Sequence, residues 1–98
     1  MKESALQRTI LEYLALKRVF HYRNNSGAFK DAAGHLYRFG AVGSPDIVCV
    51  IKGQFVGIEV KAIRGKQSLH QMVFQGNLEK AGGKYILARS LDDVTKII

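Results

Sequence analysis

Ile47-Val48-Cys49-Val50-Ile51 is an unbroken apolar run, mostly β-branched, and only Lys52-Gly53-Gln54 separates it from a second run, Phe55 to Lys61. A run of the first kind is a strand covered on both faces. The short glycine-containing link folds the second run back as its antiparallel partner in a hairpin. That hairpin has to lie inside a sheet with layers on both sides, which the rest of the chain must supply. Glu59 and Lys61 break the apolar pattern. Side chains alternate along a strand, so the two point to one face, roughly 6 to 7 Å apart. Asp46, after Ser44-Pro45, stands at the mouth of the paired strand and can meet them there. Charges rarely enter a sheet centre without a structural or chemical task.

From Glu3 to about Val19, Leu6, Ile10, Leu11, Tyr13 and Leu14 recur at helical spacing with no Gly or Pro between them, which predicts a first helix. Followed backward from Leu14 and Ile10, the same stripe passes Gln7 and reaches Glu3. An acid there also suits the positive end of the helix dipole. Val19 to Tyr22 reads as a strand, and Asn24-Asn25-Ser26-Gly27 as turn chemistry. The polar stretch up to Gly34 is expected to be an excursion or a mobile loop. Leu36 to Phe39 is a short strand or an extended edge, and Gly40 to Pro45 must be irregular.

After the hairpin, a basic loop from Ile63 to Gln67 leads into a second helix, opened by Ser68 and ended by Gly82-Gly83. Lys84 to Ala88 is a strand, and Ser90-Leu91-Asp92-Asp93 has the capping-box pattern of a last short helix. A strand-helix-strand passage of this length makes a parallel crossover, as a rule right-handed. The expected fold class is α/β: one domain over residues 1–98 with an αβββαβ core, a mixed sheet flanked by helices, and a short C-terminal helix.

Two carboxylates can hold a hard divalent cation against a phosphodiester, and a lysine beside them can orient or activate the attacking water. The charge balance fits such a substrate. Fifteen Lys and Arg oppose eight Asp and Glu, for a formal net charge of +7, so a polyanionic partner is expected. Met1-Lys2-Glu3-Ser4 opens nothing like a signal peptide, and no apolar run is long enough to cross a bilayer. The cytoplasm is the expected location. Cys49 is the one cysteine and lies inside the apolar run, where it reads as a small buried hydrophobe; disulfides and thiolate zinc are unsupported. His21, His35 and His70 have no spacing that fits a compact metal site.

The order of elements, with Asp46 heading one strand and Glu59-Val60-Lys61 in its partner, resembles the restriction-endonuclease-like superfamily known by its PD-(D/E)xK motif. Within it the chain is similar to stand-alone VRR-Nuc domains. The narrower resemblance is carried by Glu3, Arg23-Asn24-Asn25-Ser26-Gly27, Phe39-Gly40, Gly43-Ser44-Pro45-Asp46, Ile58-Glu59-Val60-Lys61, Ser68 with Gln71, and Ala81-Gly82-Gly83. It spans almost the whole chain. It implies an Mg²⁺- or Mn²⁺-dependent DNA endonuclease in which Asp46, Glu59 and the main-chain carbonyl of Val60 ligate the metal. Lys61 would position the water, Glu3 would act through an intervening water, and Gln71 would help arrange the site from the second helix. The resemblance further implies branched DNA, such as a Holliday junction or flap, as substrate, and a bacterial or phage-infected host cell as setting.

A single copy of this size offers little surface to a branched substrate, so a homodimer with two sites is expected. Arg23, Asn25, Lys30, Arg38, Arg64 and Lys66 are the expected nucleic-acid contacts, the last two in the loop after the active strand. Each feature taken singly has a plainer account. Glu59 and Lys61 would fit an exposed strand pair of little energetic value, Gln71 completes a capping box with Ser68, and Asn24, Asn25 and Gly27 fit a turn. The alternative function is a non-catalytic or RNA-directed nucleic-acid-binding module on the same fold.

Overall fold

Leu6, Ile10 and Leu14, spaced four residues apart, form the buried side of α1 (Glu3–Leu16) in the computed structural model, which describes residues Met1–Ile98. The helix stops short of the expected Val19. Arg18 adopts φ 56°, its N–H donates to Ala15 O, and the Val19 N–H donates to Leu14 O, both at 3.0 Å. This is a Schellman ending with arginine at the position where glycine is the usual signal.

β1 (Phe20–Arg23) follows and pairs antiparallel with β4 (Ile47–Ile51), which pairs antiparallel with β5 (Gln54–Val60). The crossover through α2 (Leu69–Lys80) brings β6 (Lys84–Ala88) alongside β5 in parallel, so the sheet order is β1-β4-β5-β6. The Lys61 N–H donates to Ala88 O at 2.9 Å and carries the parallel ladder one residue past the strand.

Leu36–Phe39 forms the expected short strand, and within the stretch expected as an excursion or mobile loop Gly27–Lys30 forms another. β2 (Gly27–Lys30) and β3 (Leu36–Phe39) pair with each other as a separate two-stranded ribbon between β1 and β4. Phe29 stacks on Tyr37 with ring centroids 5.2 Å apart. At its turn, Asp31 Oδ1 accepts from the N–H groups of Ala33 and His35, and Oδ2 accepts from the Tyr37 hydroxyl. The His35 and Ala33 N–H groups and the His35 ring hold the Asp31 carboxyl below its usual range.

One face of the four-stranded sheet packs on α1. Ile47, Cys49, Val56, Ile58, Val60, Ile86 and Ala88 meet Leu6, Ile10 and Leu14 there, with Val94 of α3 (Asp92–Thr95) closing the end. Burial pushes the Cys49 thiol up to about 11, so the buried-hydrophobe reading holds. The other face carries Gly57, Glu59, Tyr85 and Leu87 by alternation along β5 and β6, and α2 lies against β6. The expected box at Ser68 is complete: Ser68 Oγ accepts from the Gln71 N–H, and Gln71 Oε1 accepts from the Ser68 N–H. At Ser90 only half of the pattern forms, with Asp93 Oδ2 accepting from the Ser90 and Arg89 N–H groups while Ser90 makes no side-chain cap. No helix is long and apolar enough to cross a membrane.

Candidate active site

The irregular segment before β4 is clamped onto the strand beside it. Antiparallel register sets Arg23 against Ile47, which brings the next residue, Asn24, level with Asp46. The Asn24 N–H donates to Asp46 O at 2.7 Å. Its side-chain Nδ2 donates to Ser44 Oγ and to Pro45 O, each at 2.9 Å. Pro45 is buried against the bare backbone of Gly57. Gly43, at φ 78°, lies so close to His70 and Gln71 at the start of α2 that a side chain has no room. Three elements thus place the backbone of Asp46.

The Asp46 side chain turns to β5, where Oδ2 accepts the Val60 N–H at 2.8 Å. Asp46, Val60 and Arg23 line a cleft of about 290 Å³ with Glu3, Ser4 and Gln7 from the first turns of α1. The helical stripe read from Leu14 back to Glu3 therefore leads from the core to the cleft wall. A larger hollow of about 510 Å³ at the β4–β5 turn contains none of the expected site residues.

Glu59 is only 3 % exposed, and its Oε1 is buried with no hydrogen-bond partner. An exposed strand pair with Lys61 is therefore excluded. Its carboxyl is pushed up to about 8, first by burial, then by the Asp46 side chain within hydrogen-bonding reach and by its negative charge; Glu3 adds to this and Lys61 opposes it. Glu3, Asp46, Glu59 and Lys61 consequently share one electrostatic site. Burial likewise pushes the Tyr85 phenol up to about 12, with Glu59 and Asp46 contributing. Gln67 Nε2 donates to Tyr85 Oη at 3.3 Å and to Gln75 Oε1 at 2.9 Å, tying α2 to the sheet behind the carboxylates.

A buried carboxylate oxygen without a donor, next to a second carboxylate, is a poor place for negative charge unless a cation joins it. The donor set fits a hard divalent ion. No three His, Cys, Asp or Glu side chains close into a cage, so Asp46 and Glu59 would be the direct carboxylate ligands, Val60 O would lie between them, and Glu3 would reach through water. Magnesium, which keeps several waters, suits such a sparse set.

No family model matches this chain, and neither does any curated protein. The functional reading accordingly stands on residue chemistry and position. Arg23 stands on the cleft wall. Asn25 precedes the ribbon, while Lys30 and Arg38 lie exposed on its two strands. Arg64 and Lys66 are exposed in the loop after Lys61, and that loop is fixed by Arg89, whose Nη1 donates to Ala62 O at 2.8 Å, Ile63 O at 3.3 Å and Gly65 O at 2.5 Å. Gln71 sits at the start of α2 with its Oε1 engaged in the capping box.

Arg89 is an organising residue that sequence reasoning missed, and Asn24, read there as turn chemistry and as part of the resemblance, proves to clamp the segment before Asp46. For Asn24 the available signal was its place one residue beyond β1. Pairing β1 with β4 puts that residue opposite Asp46.

Proposed function

We propose that this chain is a divalent-metal-dependent DNA endonuclease with the restriction-endonuclease-like arrangement, acting on branched DNA such as junctions or flaps as a homodimer. The observation that carries this reading is the buried, donorless Oε1 of Glu59 beside Asp46. When bound, Mg²⁺ or Mn²⁺ supplies Lewis-acid stabilisation of the charge gained by the phosphodiester and makes a water nucleophilic at neutral pH.

The chain's own residues do the rest. Val60 fixes one oxygen of Asp46 through its N–H, which leaves the other to the cation. Glu59 needs no reorganisation to bind, since the sheet already holds it in place. Lys61, a compact ammonium beside the carboxylates, orients the water or offsets charge on the phosphate. Arg23 on the cleft wall is placed to accept a phosphate, and the exposed Lys30, Arg38, Arg64 and Lys66 follow the backbone beyond it. Two copies bring two sites, which suits paired incisions.

The test is cleavage of labelled junction, flap, duplex and single-stranded substrates with Mg²⁺, Mn²⁺ or EDTA. Metal-dependent cutting of DNA, lost in Asp46→Asn and Lys61→Ala with binding largely retained, supports the proposal. Variants that cut like the parent overturn the site. Binding without cutting favours the non-catalytic module, and cutting of RNA alone favours the RNA-directed one.

A further inference from the structure

The β2–β3 ribbon displays aromatic side chains that the core does not explain. By register and alternation, Phe29, Tyr37 and Phe39 share one face with Gly27, while Lys30, Leu36 and Arg38 share the other with Ala28. None of the three aromatic residues joins the core, and they are between 47 and 56 % exposed. Phe29 and Tyr37 stand directly opposite each other and stack, and the Tyr37 hydroxyl is anchored on Asp31. That pair holds together a two-stranded ribbon that would otherwise be marginal in water. Phe39 has no aromatic partner. Its ring tip crosses to Gly27, where an added Cβ would fall 3.1 Å from Phe39 Cζ.

Phe39 also lines a hollow of about 250 Å³ at the root of the ribbon, together with Ser26, Gly27, Arg38 and Gly43. The volume is a little below the roughly 300 Å³ at which small-ligand pockets begin, which suits one flat ring system. Neither Lys30 nor Arg38 has a carboxylate partner. Asp31 is the only acid on the ribbon, and its oxygens are engaged by Ala33, His35 and Tyr37. An open ring beside unpaired cations matches a ligand with a π-face and a negative backbone.

We infer that the hollow at Phe39 holds an unpaired base of a DNA strand, stacked on the ring, while Arg38 and Lys30 take the adjoining phosphates. The hollow is joined to the cleft. Ser26 lies three residues after Arg23 of the cleft wall, at most about 11 Å of extended chain. Gly43 lies three residues before Asp46, on the segment that Asn24 clamps. A strand seated in the cleft therefore has its next unpaired nucleotides within reach of Phe39. A fully paired duplex does not offer them, because its bases are stacked on their neighbours and extruding one costs energy. The assignment rests on the nucleic-acid reading and deepens it, naming the unpaired base as what is recognised in a branched substrate. It does not depend on the cleavage chemistry.

The chain contains no tryptophan, so Phe39→Trp supplies a single reporter at this position. With EDTA present to prevent cutting, saturating oligothymidine is expected to quench its emission, and a fully paired duplex bound to the same extent by anisotropy is expected to leave it bright. In the same buffer Phe39→Ala should weaken oligothymidine binding about 5- to 100-fold, the loss of one stacked base. Phe39→Leu keeps an apolar side chain over Gly27 and guards against a loosened ribbon; it should recover little, with unchanged far-UV circular dichroism. Leu36→Ala, on the opposite face, should bind like the parent. Parental affinity in Phe39→Leu overturns the inference, as does an introduced tryptophan whose emission ignores bound oligothymidine or is quenched equally by duplex. Quenching by oligouridine but not by oligothymidine overturns the DNA occupant. A protein that shows both expected effects but cuts no DNA overturns only the nuclease reading, and one that cuts DNA with neither effect overturns only the stacking site.

Discussion

The ring of Pro45 rests on Gly57 so closely that an added Cβ would fall 2.5 Å from Pro45 Cγ. Gly57 lies in mid-strand, where glycine ordinarily weakens a sheet; here it lets the segment that ends in Asp46 lie flat on β5. Gly57→Ala is expected to destabilise by about 1–2 kcal/mol, since overpacking exceeds the gain from a stiffer unfolded chain. Displacing Pro45 shifts Asp46 with it, so Mg²⁺ affinity should fall as well. Urea unfolding and metal titration by calorimetry check the pair; a variant with parental stability and affinity would show that Pro45 does not set the carboxylate.

Glu59 yields a pH dependence of definite sign. Folded, it keeps its proton up to about 8, whereas its ordinary value is 4.5. Between those values the folded state holds a proton that the unfolded state has lost, so stability falls as pH rises through this window. The metal-free protein should therefore melt at progressively lower temperature from pH 5 to pH 8, and Glu59→Gln should flatten the decline. Mg²⁺ displaces the same proton, so its stabilising effect should grow with pH. Parallel profiles for parent and variant would remove Glu59 as the titrating group.

The β4–β5 hairpin, α2 with its capping box and β6 are legible in the sequence because their patterns are local: a β-branched run, Ser68 with Gln71, and Gly82-Gly83. Glu59 and Lys61 are legible for the same reason, as charges in an apolar strand. What is not legible depends on exceptions or on distant pairing. Arg18 takes the left-handed position without glycine, which hides the end of α1. β2 is exposed throughout, so no burial alternation marks it, and it pairs only with β3, the short strand that Leu36 to Phe39 does announce. Asn24 gains its role from the register of β1 on β4.

Arg89 donates to three carbonyls of the loop after Lys61. Hydrogen bonds from a charged donor contribute about 1.5–3 kcal/mol each, and their loss in Arg89→Ala should open the loop locally while the core holds. Trypsin should then cut after Arg64 and Lys66 at least about tenfold faster, following the population of the opened loop. All three contacts come from Nη1, so Arg89→Lys, whose ammonium also carries three donors, should recover part of the protection. Mass spectrometry of the early fragments reads this directly, and equal cleavage rates would show that the loop holds without Arg89.

Arg64 and Lys66, exposed on that fixed loop, are expected to contact phosphates rather than bases. Each phosphate contact releases counterions, lowering the slope of log affinity against log salt by about 0.9 for duplex DNA. Arg64→Ala with Lys66→Ala should therefore flatten the slope by about 2, weaken binding to a similar extent across sequences, and leave metal affinity at Asp46 and Glu59 unchanged. Fluorescence anisotropy across a salt series, using Asp46→Asn as the uncut background, measures the slope. An unchanged slope would take the loop out of the nucleic-acid interface and leave Arg23 on the cleft wall, with Lys30 and Arg38 on the ribbon, to carry the phosphate contacts.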